Sequence, residues 1–170
     1  AGALRAAIGL LNQTLVAGVK RNIEFEKSIA DIAAVTGDAT DVLTEGKPSL
    51  VDSILEVASA TTFSVKETAA FVKSMARLGF ETSEIQASML NTARAAQALG
   101  VDFGTMGEVV GKTLNAFGLG VSESSRVTDT LVSAINSSAL TFEQFQLSMQ
   151  YVAPIARQLN VSLEETTFFM

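Results

Sequence analysis

Leu99-Gly100-Val101-Asp102-Phe103 decides how this chain folds. Gly100 stands between two apolar residues, and Asp102 follows at once. Glycine accepts the left-handed backbone that ends an α-helix, and the next apolar residue folds back onto the last turn. An aspartate placed just after can accept an orphan N–H at the start of a new helix. These five residues therefore spell a stop followed by a start. The stop recurs at Leu78-Gly79-Phe80, Phe117-Gly118-Leu119 and Leu159-Asn160-Val161. From Gly79 the spacing is 21 to Gly100, then 18 to Gly118, then 42 to Asn160. The midpoint of that last interval is Ala139, where the register holds but the glycine is missing.

The starts keep the same beat. Ser64-Val65-Lys66-Glu67, Thr141-Phe142-Glu143-Gln144 and Ser162-Leu163-Glu164-Glu165 are capping boxes, in which a hydroxyl takes one orphan N–H and the Glu or Gln reaches back to another. Leu140 and Phe145 add a hydrophobic staple to the second. Thr82, Asp102 and Ser122 are simpler N-caps. The starts at 64, 82, 102, 122, 141 and 162 are separated by 18, 20, 20, 19 and 21 residues. A helix of about 15 residues and a turn of about five, repeated, makes successive αα-hairpins of about 20 residues per helix-turn unit. Without glycine, Ala139 would meet a cost of about 1 kcal/mol in the left-handed region. Asn136-Ser137-Ser138 is therefore expected to make a looser turn.

Each helix carries an apolar face. Phe103, Met106, Val110, Leu114 and Phe117 step by three and four, as do Phe142, Phe145, Met149, Val152, Ala156 and Leu159. Leu147, Tyr151 and Ile155 lie on a second face of the latter segment, which predicts that it is the most buried helix. Pro154 inside it removes a donor from the Gln150 carbonyl and predicts a kink. No window alternates as a strand does. The fold class is all-α.

Ahead of this string, residues 1–36 form one long amphipathic helix. Leu4, Ile8, Leu11, Leu15, Val19 and Ile23 share one face, a candidate self-association surface. Residues 3–35 would span roughly 50 Å as a helix. Residues 6–19 are free of charge, yet this run is shorter than a membrane span and holds Asn12 and Gln13. Residues 37–48 read as a loop, with Pro48 at the start of the next helix, and 49–170 as the helical domain. Residue 1 is Ala, and Met170 falls in a helix that starts at Ser162. The expectation is an ordered piece of a longer protein.

Composition narrows the function. The chain of 170 residues is 48% apolar and 18% charged, enough to bury a core as one domain with an extension. So low a charge suits a surface covered by further copies or by other subunits, and equally a large Ala-rich helical core. Net charge is −6, with 5 basic and 8 acidic groups in residues 1–60 and 7 and 10 in the rest. No basic stripe is present to hold phosphates, so direct nucleic-acid binding is not expected. Cysteine and histidine are absent, which removes disulfides, thiolate metal sites and the usual base of a serine triad. No cofactor is expected.

Gly107-Glu108-Val109-Val110-Gly111-Lys112-Thr113 imitates a phosphate loop, but Met106 stands where its first glycine belongs and the segment is mid-helix. Gly107 and Gly111 read better as small residues that let two helices approach closely. Glu164 and Glu165 imitate a carboxylate pair, but adjacent helical residues point about 100° apart and acids in a first turn favour the helix dipole. Asn12, Asn136 and Asn160 each open an Asn-x-Ser/Thr triplet with no secretory context. No enzyme is expected.

Five short runs resemble, in order and approximate spacing, the conserved region of phage tail tape measure proteins. They are Phe25-Glu26-Lys27 with Ala34-Val35-Thr36-Gly37, Ala60-Thr61-Thr62-Phe63-Ser64, Leu114-Asn115-Ala116-Phe117-Gly118-Leu119 and Tyr151-Val152-Ala153-Pro154-Ile155-Ala156. The resemblance covers about residues 24–170. It implies a long helical protein in the lumen of a phage tail, around which tail tube protein polymerises and whose length sets tail length. It implies a few-copy homo-oligomer such as a trimer, contacts with the tail tip or baseplate hub, and release before DNA passes. Membrane contact would come only through other parts of such a chain. Its place would be the host cytoplasm during assembly, then the virion tail. The matched region would be a compact helical domain, with the ruler elsewhere. Residues 38–50 are more broken by Gly and Pro than the family's helix, and Gly107 and Gly111 stand where larger residues are common. The other readings are an α-helical protein-binding adaptor, a part of a phage-like contractile injection system, and a lytic domain with carboxylates converging across helices. The repeats look too loose for a regular solenoid adaptor.

Overall fold

The computed structural model describes Lys27, Ala30 and residues 50–169. The face from Leu4 to Ile23, the 37–48 loop and Pro48 lie outside the described residues. Seven α-helices follow in order: α1 Leu50–Ala60, α2 Val65–Arg77, α3 Thr82–Leu99, α4 Phe103–Phe117, α5 Ser124–Ser137, α6 Phe142–Gln158 and α7 Leu163–Phe168. A short 3₁₀ turn, Val121–Glu123, precedes α5. Among the described residues the fold is all-α, with no strand.

The stops are complete Schellman motifs. Gly79, Gly100 and Gly118 have φ of 90°, 66° and 67°, and Asn160 has φ 54°. In each, the residue after the left-handed one donates back to the last turn: Phe80 to Met75 O at 3.3 Å, Val101 to Ala96 O at 3.0 Å, Leu119 to Leu114 O at 2.8 Å and Val161 to Ala156 O at 2.9 Å. The junction at Ala139 is built differently. Ser138 is extended, at φ −98° and ψ 168°, and its hydroxyl accepts the Leu140 N–H at 3.3 Å.

The starts agree in kind and shift in two places. Ser64 Oγ accepts from Glu67 N at 3.3 Å while Ser64 N donates to Glu67 Oε2 at 2.8 Å. Thr141 with Gln144 and Ser162 with Glu165 form the same reciprocal pairs. Asp102 Oδ1 accepts from Thr105 N at 2.8 Å. Thr82, expected as a cap, is instead the first helical residue, because the Glu81 N–H donates to Glu84 Oε2 at 2.9 Å and sets the entry one residue earlier. Ser122, also expected as a cap, lies within the 3₁₀ turn. Burial of Val121 and a bond from Glu123 N to Gly120 O at 3.0 Å hold that tight turn and delay α5 to Ser124.

Short turns join sequence neighbours into αα-hairpins except at α5 and α6, which barely touch, and every helix also packs on the helix two places along. The result is two rows, α2–α4–α6 and α1–α3–α5–α7. Hydrogen bonds show that members of a row run parallel, since like ends meet. Asn115 Nδ2 near the end of α4 donates to Leu78 O at the end of α2 at 3.1 Å. Arg157 near the end of α6 donates to Asn115 O at 3.3 Å. At the helix starts, Gln86 of α3 donates to Ser53 of α1 at 3.1 Å, and Arg126 of α5 pairs with Glu164 of α7. The stop turns fix how the chain leaves a helix whatever the length of that helix.

The tightest contact is α2 against α4. Gly104, Gly107 and Gly111 line the α4 side. A Cβ on Gly107 would lie 2.5 Å from Phe71 Cδ2, and one on Gly111 would lie 2.6 Å from Leu78 Cδ1. Phe71 stacks on Phe103 with ring centroids 4.5 Å apart, and Phe63 stacks on the same ring at 5.1 Å.

The burial expected for the 142–159 segment is corrected. Phe142, Phe145, Met149, Ala153 and Ala156 are buried, but Leu147, Tyr151, Ile155 and Leu159 are 56%, 68%, 58% and 69% exposed. The reason is position: α6 is the last helix of its row, so α4 covers only one side of it. Pro154 lies exposed within α6, which continues to Gln158.

Gly107→Ala should test the close approach. The added methyl gains up to about 1 kcal/mol of helix propensity but overpacks a pinned ring at a cost of about 1–3 kcal/mol. Urea denaturation should show net destabilisation, larger for Gly107→Val. Gly79→Ala, where nothing lies within 4 Å, should lose only the backbone cost of about 1 kcal/mol.

Candidate functional site

Two features converge on the α4–α6 side of the stack. The first is how the helix ends are satisfied. The last carbonyls of a helix lack intrahelical partners and carry partial negative charge. Arg157 supplies donors to α4, reaching Asn115 O and, at 3.5 Å, Ala116 O. Gly118 is thereby constrained twice: its φ is left-handed, and a Cβ there would lie 2.9 Å from Arg157 Nη2. Asn115 does for α2 what Arg157 does for α4. Periodicity finds the apolar faces and passes over these two polar residues. Their signal is a side chain with amide or guanidinium donors in the last turn before a stop.

The second feature is a groove between α4 and α6 of about 240 Å³, floored by Val109, Thr113, Met149 and Ala153 and edged by Lys112 and Pro154. On another side of α6, Leu147, Tyr151 and Ile155 form an exposed apolar stripe. Between Glu143 and Arg157 this helix has no charged residue. Such a surface excludes water from an apolar partner and offers little to a charged one.

The candidate carboxylates are tied down at helix starts. Glu165 is held below the usual carboxylate range by the Ser162 N–H and then its hydroxyl. Glu67 is held there by the Ser64 hydroxyl and then its N–H. Glu164 is lowered by its own backbone N–H and then by Arg126, whose own pKa is raised by Glu123 and Glu164. A general acid needs the opposite shift, so these groups act as caps and cross-row ties. Gly107, Lys112 and Thr113 lie within α4, where Gly107 meets Phe71 and forms no loop. Among the described residues no group of three or more acidic side chains is placed to hold a metal ion, and no helix is long and apolar enough to cross a membrane.

A family of phage-related minor tail proteins matches residues 51–170, which is the span of the helical stack. This chain belongs to that family. It is therefore a structural component of the phage tail. A tape measure protein of Pneumococcus phage Dp-1 is 29% identical over 150 residues. That alignment covers 88% of this chain and 13% of the phage Dp-1 protein. No solved structure matches the chain.

Two outcomes follow from the caps and ties. Glu67 and Glu165 have folded pKa values below the ordinary 4.5, so their stabilisation is present above that pH and is lost as pH falls through the folded values. Thermal melts should show Tm falling below about pH 4.5. Glu67→Gln with Glu165→Gln should flatten this limb while keeping the return bonds, as Gln144 does in α6. Arg157→Ala should lower stability by about 1 kcal/mol in chemical denaturation, through loss of the α4 end contacts.

Proposed function

We propose that this chain is the folded domain of a tape measure protein, which sets tail length and directs tail tube assembly. In this reading the domain sits in the tail lumen and docks at the tip or baseplate hub. A few copies associate there, and tail tube protein polymerises around the remainder of the molecule. The observation that carries the reading is the phage Dp-1 relative, which bears the name tape measure protein and aligns with 88% of this chain over only 13% of its own length. A compact stack of short helices is a poor ruler, since its length along one row is set by helix diameters. It suits a docking domain, with the measuring length carried elsewhere. The acidic balance of −6 supports a domain that does not hold the DNA sharing its channel. We take the role as structural and non-enzymatic, because the two adjacent carboxylates the sequence offers are engaged, Glu165 in the Ser162 cap and Glu164 with Arg126.

The α4–α6 groove favours one second reading, a helical adaptor that holds an apolar partner segment. Electron microscopy separates the two. In-frame deletions in the coding region outside residues 1–170 should shorten the tail by roughly 1.5 Å per residue removed if that region is a helical ruler. Tails of unchanged length would refute the ruler and leave the adaptor.

A further inference from the structure

We propose that the outer face of α6 is a contact between two copies of this chain, related by a two-fold axis. It deepens the association of copies in the reading above by naming its surface, and rests on that reading only for its place in the tail. It is read on the purified chain, so its failure leaves tail length to be judged by the deletions outside residues 1–170.

The face lies opposite the core. Ala153 is buried against α4, and Tyr151 projects about 160° around the helix from it. Leu147, Tyr151, Val152, Ile155 and Leu159 are all exposed on this outer side. Together they leave on the order of 500 Å² of apolar side chain in water, as large a patch as a monomer usually carries. Asp52, Lys66, Arg94, Lys112, Asp129 and Glu164 each put a charge on the exposed side of one of the other described helices. Between Glu143 and Arg157, α6 puts none there.

Charge, shape and area select a second copy as the occupant. The chain carries a net charge of −6, so two copies repel over most of their surface. The uncharged face of α6 lets them meet without bringing like charges together. Leu147, Tyr151, Ile155 and Leu159 are spaced by four and form a ridge. The commonest helix–helix packing sets such ridges on both helices into each other's grooves, at about −50°. It asks the same ridge of both partners, and an identical helix supplies it. A two-fold axis is the symmetry in which one patch meets itself. Two copies would bury about 1,000 Å² between them, the lower limit for a specific interface. That area fits a reversible dimer with a dissociation constant in the micromolar range, and not a permanent one. Tyr151, near the middle of the ridge, is of a residue type enriched at such contacts, where the ring is covered and the hydroxyl reaches the wet rim.

The chain offers its own probe. Tyr151 is the single tyrosine, and there is no tryptophan, so tyrosine fluorescence reports on this face alone. Sedimentation equilibrium of the 170-residue chain should show a reversible monomer–dimer equilibrium across the micromolar range. Acrylamide quenching of Tyr151 should fall as the dimer fraction rises. Leu147→Glu with Ile155→Glu brings like charges together across the axis. It should raise the dissociation constant more than about a hundredfold and restore quenching, with helical circular dichroism unchanged. Leu147→Ala with Ile155→Ala adds no charge and keeps good helix formers, so it checks the result independently, and it should weaken the dimer by about tenfold or more. Ser133→Glu, on the exposed side of α5, should leave the dimer as it is. A monomer at every concentration with Tyr151 freely quenched would overturn the proposal. So would a species of monomer mass with Tyr151 protected, which would place another segment of the same chain on the face. A dimer that both α6 pairs leave unchanged would put the contact elsewhere and overturn it too, and a trimer would overturn the two-fold arrangement.

Discussion

The ring of Phe71 occupies the space that a side chain on Gly107 would need. That single exchange, of a side chain for an approach, organises the stack. With three glycines along one side, α4 comes close enough to α2 for Phe71 and Phe103 to stack face to face with Phe63 behind them. Glycine in a helix interior costs about 1 kcal/mol relative to alanine at each position. Burial of Phe71, Met75 and Met106 at the same contact offsets it, since each large apolar side chain contributes about 1.5–3 kcal/mol. The remaining helices are placed by this pair. α6 lies on α4, and the odd row fills the flank.

Polar residues then hold the rows in register where apolar packing is indifferent to sliding. Asn115 and Arg157 fix one edge of the even row, and Gln86 and Arg126 tie the opposite ends of the odd row. Exposed ion pairs contribute little energy. Their value here is geometric, because each is aimed at a group from a neighbouring helix and so selects one register.

The legible part of the molecule is the part written in backbone chemistry. Gly79, Gly100, Gly118 and Asn160 declare their turns because few residues tolerate left-handed φ, and Ser64, Thr141 and Ser162 declare helix starts because few side chains can satisfy an orphan N–H. Ala139 was informative by default. What periodicity misjudged was the second apolar face of α6. Leu147, Tyr151 and Ile155 look like core because a sequence states that a face is apolar without stating what lies against it. Thr82 and Ser122 misled for a smaller reason: an adjacent Glu-x-x-Glu and a buried Val121 moved the helix entry by one or two residues. The cross-row ties were illegible, since Asn115 and Arg157 meet their targets across about 40 residues of sequence.

Stacking by twos also governs how such a chain folds and comes apart. Each helix touches little beyond its neighbours and next neighbours, so stability is close to a sum of local terms along one dimension. Loss of one helix at an end exposes only the next, and unfolding can peel along the array without a single global rupture. The contacts that must re-form close loops of only some forty residues, and local topologies of this kind fold fast. A domain held this way can be drawn out in sequence and can rewind in sequence.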